Sequence, residues 1–125
     1  MILVDTSVWV DHFRTGDARL AHLLESGVVL MHPFVVGEIA CGSLSERAPI
    51  LELLGDLPAA AVAENEEVLS FIERHALHGQ GVGYIDVHLL ASTVLTGGAS
   101  LWTRDKRLHR LAGDLGCAYT DSTAH

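Results

Sequence analysis

Two rhythms of apolar residues run through the chain. Short continuous runs such as Ile2-Leu3-Val4, and the stretch from Val28 to Met31, are of the kind found in parallel strands covered on both faces. Between them, apolar residues recur at three- and four-residue spacings, the mark of helices with one buried face. The pattern predicts helices over residues 7–14, 17–26, 33–43, 46–56, 64–78, 84–96 and 105–115. It predicts strands over 2–4, 28–31, 59–62, 100–102 and 118–119. Pro33 and Pro49 suit first helical turns, and Gly16, Gly27, Gly55 and Gly98 stand where C-cap glycines stand. Strand and helix alternate with no repeat, low-complexity tract or linker, so residues 1–125 form one α/β domain.

Composition narrows the function classes. At 125 residues, 49% apolar and with positive mean hydropathy, the chain can bury a full core by itself. A strand beginning at the first residues leaves no room for a signal peptide, and no apolar stretch approaches the roughly 18 residues of a membrane span. The expectation is a soluble, cytoplasmic protein that meets no membrane. Cys41 and Cys117 lie among apolar neighbours without metal-ligand spacing, which predicts core packing in a reducing compartment. The net charge of −8 argues against general nucleic-acid binding. Yet four of the eight basic residues, Arg104, Lys106, Arg107 and Arg110, fall within TRDKRLHR, where an anionic substrate would meet the protein.

Four acids stand out against this frame. Asp5 ends the first strand and Asp105 follows SLWTR, so parallel strands would bring both carboxylates to one sheet edge, where open α/β sheets bind ligands. Glu38 falls in PFVVGEIACGS, where helical spacing gives it an apolar face with Phe34, Val35, Cys41 and Gly42. Asp86 heads a stripe with Leu89, Leu90 and Val94. Unpaired buried carboxylates are costly, and bound Mg²⁺ or Mn²⁺ would resolve the cost because these hard cations take oxygen ligands. The bland alternatives are that Asp5 caps the following helix and that Asp86 and Asp105 favour first turns.

Other motifs carry less. GQGVGYI has Tyr84 where a dinucleotide fingerprint needs its third glycine, so it predicts a flexible turn. His75 and His78 lack a second ligand pair for zinc and predict solvated surface, while His88 and His109 stay unassigned. Trp9, Phe13, Leu20, Leu23 and Leu24 recur at helical spacing; these are core positions, with the Trp9, Phe13 and Leu24 part exposed enough to take a partner.

The motifs MILVDTSVW, VVGEIACG, GYIDVHLLAS and LWTRDKRL, in that order and covering nearly the whole chain, resemble the successive acidic motifs of PIN-domain ribonucleases, in particular the VapC toxins of toxin–antitoxin pairs. The resemblance implies a three-layer α/β/α fold with a mainly parallel sheet and a Mg²⁺ or Mn²⁺ site made by Asp5, Glu38, Asp86 and Asp105. It also implies a helpful hydroxyl at Thr6 or Ser7, homodimerisation, endonucleolytic RNA cleavage, and neutralisation by a VapB-type antitoxin. Asp121 is the one nearby candidate for the further acid some members carry. Attack by hydroxide needs no 2′-hydroxyl, so products should carry 5′-phosphate and 3′-hydroxyl ends, with Arg104, Lys106, Arg107 and Arg110 holding the RNA backbone. A phosphoacceptor receiver domain would want an acidic pair after the first strand, but Thr6 follows Asp5. A haloacid-dehalogenase-type phosphatase would want a second Asp at position seven, which is Ser7. A non-catalytic interaction module with the same fold is the remaining alternative.

Overall fold

Three strands and seven helices alternate along the described residues of the computed structural model, 1–120. The first strand, β1 (Ile2–Val4), is the middle of the sheet. It pairs in parallel with β2 (Val29–Leu30) on one side and with β3 (Ser100–Trp102) on the other, in the register Ile2↔Val29 and Ile2↔Ser100. Leu3, Val4 and Leu101 have no exposed surface, which accounts for the uninterrupted apolar runs. The expected strands at 59–62 and 118–119 shrink to single parallel bridges, Met31↔Ala59 and Leu101↔Ala118. At the first of these, the run Ala59-Ala60-Ala61 offers none of the β-branched bulk that favours longer pairing.

Helices α1 (Thr6–Thr15), α2 (Ala18–Glu25), α3 (Pro33–Cys41), α4 (Arg47–Gly55), α5 (Asn65–Arg74), α6 (Tyr84–Leu95) and α7 (Lys106–Asp114) cover the sheet. Together they form the α/β architecture with a parallel sheet that the sequence pattern predicts. Helix α6 is buried without interruption from Val87 to Thr93, the mark of a helix enclosed on all sides. Helix ends fall within two residues of expectation except at the end of α5. Helix α5 stops at Arg74 rather than at residue 78, because Ala76 takes a left-handed backbone with φ +52 that no helix continues through. Gly55 is the last residue of α4 rather than its cap, a place taken by Asp56. Cys117 is buried as predicted, but Cys41 is exposed at the end of α3. No helix among the described residues is long and apolar enough to cross a membrane.

One buried polar group ties three layers together. His32, with no exposed surface, precedes α3 as its N-cap. Its Nδ1 accepts from the backbone N–H of Phe34 at 3.0 Å, so the proton sits on Nε2, which donates to Ser92 Oγ on α6 at 3.1 Å. Ser92 Oγ also accepts from the backbone N–H of Ala63. Burial, and then the neighbouring His88, push the His32 pKa down to about 4, so the ring is neutral at physiological pH.

Candidate active site

At the C-terminal edge of the sheet, β1 runs into Asp5 and β3 into Thr103. Asp5 is 6% exposed. It stands at the N-cap position of α1, yet its carboxylate makes no cap hydrogen bond. Instead Oδ2 accepts from Ser7 Oγ and Thr103 Oγ1, both at 2.8 Å. The direction of these bonds follows from what the hydroxyls themselves receive: Ser7 Oγ accepts the Arg104 N–H at 3.0 Å, and Thr103 Oγ1 accepts the Asp105 N–H at 3.1 Å. Both hydroxyl protons are thus aimed at one oxygen. Oδ1 takes no donor from the described residues, and a carboxylate buried this far with an oxygen to spare fits a ligand role better than a cap.

The other three acids come from different elements. Glu38 is exposed on α3, which corrects the expectation of an apolar face: Val35 and Ile39 point into the core, while Glu38, Cys41 and Gly42 lie on the outer side. Its Oε1 accepts from Thr6 Oγ1 at 2.7 Å, so adjacent hydroxyls at the start of α1 serve two different acids. Asp86, half-buried in the first turn of α6, accepts the Gly83 N–H at 3.3 Å. Burial raises its pKa, and the charges of Asp5, Asp105 and Glu38 raise it further against the pull of the Gly83 bond. Asp105 is exposed and caps α7, accepting the Leu108 N–H at 2.9 Å. The capping reading is therefore true of Asp105, and the first-turn reading of Asp86, without removing either from the crevice.

Each carboxylate holds a donor of its own. Among the described residues no three of these side chains converge on one point at ligand distance. Their proximity is electrostatic and registers on Asp86. A donor set made only of carboxylate and hydroxyl oxygens, with Asp5 Oδ1 open, suits a hard divalent cation rather than zinc or iron.

The basic segment is more engaged than its sequence suggests. Arg104 pairs with Asp11 and Asp17, each at 2.7 Å, and lies over the Trp102 ring. Arg107 Nη1 donates to the Gly81 carbonyl and Arg110 Nη2 to Gln80 Oε1, both at 3.3 Å, so α7 pins the GQGVG turn. Gly81 has φ +78, a backbone conformation that favours glycine. Lys106 is exposed. Asp121 lies outside the described residues. Trp9, 2% exposed, is core rather than surface. With His12, Phe13, Leu24, Ile50 and Leu53 it lines a groove of about 320 Å³.

Thr103 is the site residue that sequence reasoning passes over. Its signal is modest: a hydroxyl at the end of a strand, two residues before an acid already under suspicion.

Comparison with known proteins identifies the family. Residues 2–114 match the family model described as PIN domain. The chain is 45% identical, over 99% of its length and all of theirs, to proteins named Ribonuclease VapC32 from two strains of Mycobacterium tuberculosis, CDC 1551 and H37Rv. Its fold is similar to that in the crystal structure of FitAcB from Neisseria gonorrhoeae, with a TM-score of 0.66 at 18% identity and full coverage of both chains. A family match over almost the whole chain, joined to full-length identity at this level, makes this chain a PIN domain protein of the VapC type.

Proposed function

We propose that the protein is a metal-dependent endoribonuclease, the toxin of a VapBC-type toxin–antitoxin pair, acting in the cytoplasm. The observation that carries the reading is Asp5: buried, held through Oδ2 by two hydroxyls, with Oδ1 taking no donor among the described residues and with its charge, like those of Asp105 and Glu38, felt at Asp86. Asp5, Glu38, Asp86 and Asp105 would hold Mg²⁺ or Mn²⁺, which when bound supplies Lewis-acid polarisation of the phosphodiester and a lowered pKa for the attacking water. The chain's own part is positional. Ser7 and Thr103 keep the Asp5 carboxylate in one rotation, Thr6 orients Glu38, and exposed Lys106 with Arg107 and Arg110 meets the RNA backbone. Cleavage by water leaves 5′-phosphate and 3′-hydroxyl ends.

The Trp9 groove is the seat for an antitoxin segment: Leu53 is 66% exposed and the buried Trp9 Nε1 has no hydrogen-bond partner among the described residues. A homodimer accounts for the exposed Leu69, Val94 and Leu95. The test is cleavage of a structured RNA by purified protein with Mg²⁺, with Mn²⁺ and with excess chelator, beside Asp5→Asn. The expected result is cleavage only with metal and a loss of at least about two orders of magnitude in the variant. Undiminished cleavage in chelator would end the reading.

A further inference from the structure

The helices that carry Glu38 and Asp86 also carry a second feature that the acid crevice does not use. Phe34 lies one turn before Glu38 on α3, and Tyr84 and His88 flank Asp86 on α6. Phe34 and Tyr84 each stand with ring centroids 4.7 Å from His88, both edge-on. Tyr84 is 45% exposed, yet its hydroxyl is anchored on Asn65 Oδ1 at 3.1 Å, and His88 Nε2 meets the same oxygen. His88 is 1% exposed and its Nδ1 has no hydrogen-bond partner among the described residues. Beside this aromatic wall opens a groove of about 470 Å³, lined by Phe34, Ala63, Glu64, Asn65, Glu66 and His88. The Glu67 side chain, not that of Glu64, closes the start of α5 by accepting the Glu64 N–H. The Glu64 and Glu66 carboxylates are exposed and make no hydrogen bond or ion pair with the described residues.

We infer that this groove is a subsite for one unpaired guanine base of the RNA, an assignment that rests on the ribonuclease reading and adds a substrate preference to it. Two free carboxylates repel phosphate, so the groove does not track the backbone. The half-buried Phe34 ring on the groove's lining suits the face of a base, which is how single-stranded RNA is gripped. Among the four bases, guanine alone presents two adjacent N–H donors, N1–H and the 2-amino group, to a single carboxylate, and the pair forms two parallel charge-assisted bonds. Glu64, next in sequence to the Asn65 that anchors Tyr84, is the residue assigned to that edge. The base would lie against Phe34.

Nucleosides titrated into the wild-type protein, read on the aromatic NMR signals of Phe34, Tyr84 and His88, test the subsite apart from catalysis. Guanosine should shift these signals saturably. Inosine, which lacks the 2-amino group, should bind roughly tenfold more weakly, as should guanosine to Glu64→Gln. Adenosine, cytidine and uridine should be weaker still. Equal response to all nucleosides, full guanosine affinity in Glu64→Gln at unchanged melting temperature, or stronger response to a blocked arginine than to guanosine would each overturn the assignment. Mapping cleavage of a randomised RNA completes it: a fixed guanine near the cut supports the subsite, and cleavage with no base preference sinks it while leaving the ribonuclease intact. Selective guanosine binding without any RNA cleavage would do the reverse.

Discussion

The protein buries two polar clusters near the same end of its sheet, and they are built on opposite principles. Around His32 both ring nitrogens are matched: Nδ1 accepts, Nε2 donates to a Ser92 Oγ that also receives the Ala63 N–H, and the ring is neutral. Around Asp5 the matching stops halfway. One carboxylate oxygen takes two hydroxyl protons while the other takes none from the described residues, and burial, with the charges of the neighbouring acids adding to it, raises the pKa of Asp86. A buried cluster that serves the fold closes on itself; one that serves chemistry keeps an unsatisfied atom and tolerates repulsion.

The largest effect should come from breaking the closed cluster. His32→Ala removes a fully buried ring together with the N-cap of α3 and its tie to α6. The expected cost is about 3–5 kcal/mol, measured by denaturant unfolding. Wild-type stability should also fall as pH drops. An unfolded histidine takes up a proton below about pH 6.5, whereas folded His32 does so only near 4, so stability is complete above 6.5 and erodes by roughly 3 kcal/mol on the way to 4. In His32→Gln that window should flatten.

The open cluster should answer in activity rather than stability. Thr103→Val keeps the shape but deletes one of the two protons aimed at Asp5 Oδ2 and leaves the Asp105 N–H without its acceptor. RNA cleavage should fall about ten- to a hundredfold with a higher Mg²⁺ requirement, and Thr103→Ser should recover most of it. A Thr103→Val enzyme with normal metal dependence would remove Thr103 from the site.

The smallest effect has the opposite sign from the first. Asp86→Asn relieves repulsion while its side-chain oxygen can still accept the Gly83 N–H, so melting temperature without metal should rise by a few degrees at most. Because the folded state raises the Asp86 pKa, the penalty it removes is full above that pKa and disappears as acid protonates the group toward pH 3.8. Acid thus loosens the His32 cluster and relaxes the Asp86 one. A destabilised Asp86→Asn would mean that its first-turn role outweighs the repulsion.

Much of this was legible in the residues, for reasons that differ in quality. Asp5 follows from an apolar run ending in a charge, and the structure keeps the reason: a central parallel strand delivers it to the edge. Glu38 follows from an apolar helical face, and that reason fails, since the acid stands on the outer side of α3. Its acidic-motif context pointed to the crevice more reliably than its periodicity did. Thr103 and His32 were hidden because hydroxyls and imidazoles mean nothing until a partner is known, and their partners lie 98 and 60 positions away. The pairing of Arg104 with Asp11 and Asp17 was hidden in the same way.

The placement of β1 at the centre of the sheet sets an order of events in time. Ile2 must find Val29 on one side and Ser100 on the other, the second among the most distant pairings the described chain makes. Such non-local closure comes late in folding, and on a ribosome it must await the last fifth of the sequence. The strand that bears Asp5 is synthesised before both of its neighbours and is completed by the later of them. A nascent chain that has not yet delivered Thr103 holds Asp5 with only one of the two hydroxyls that fix its carboxylate.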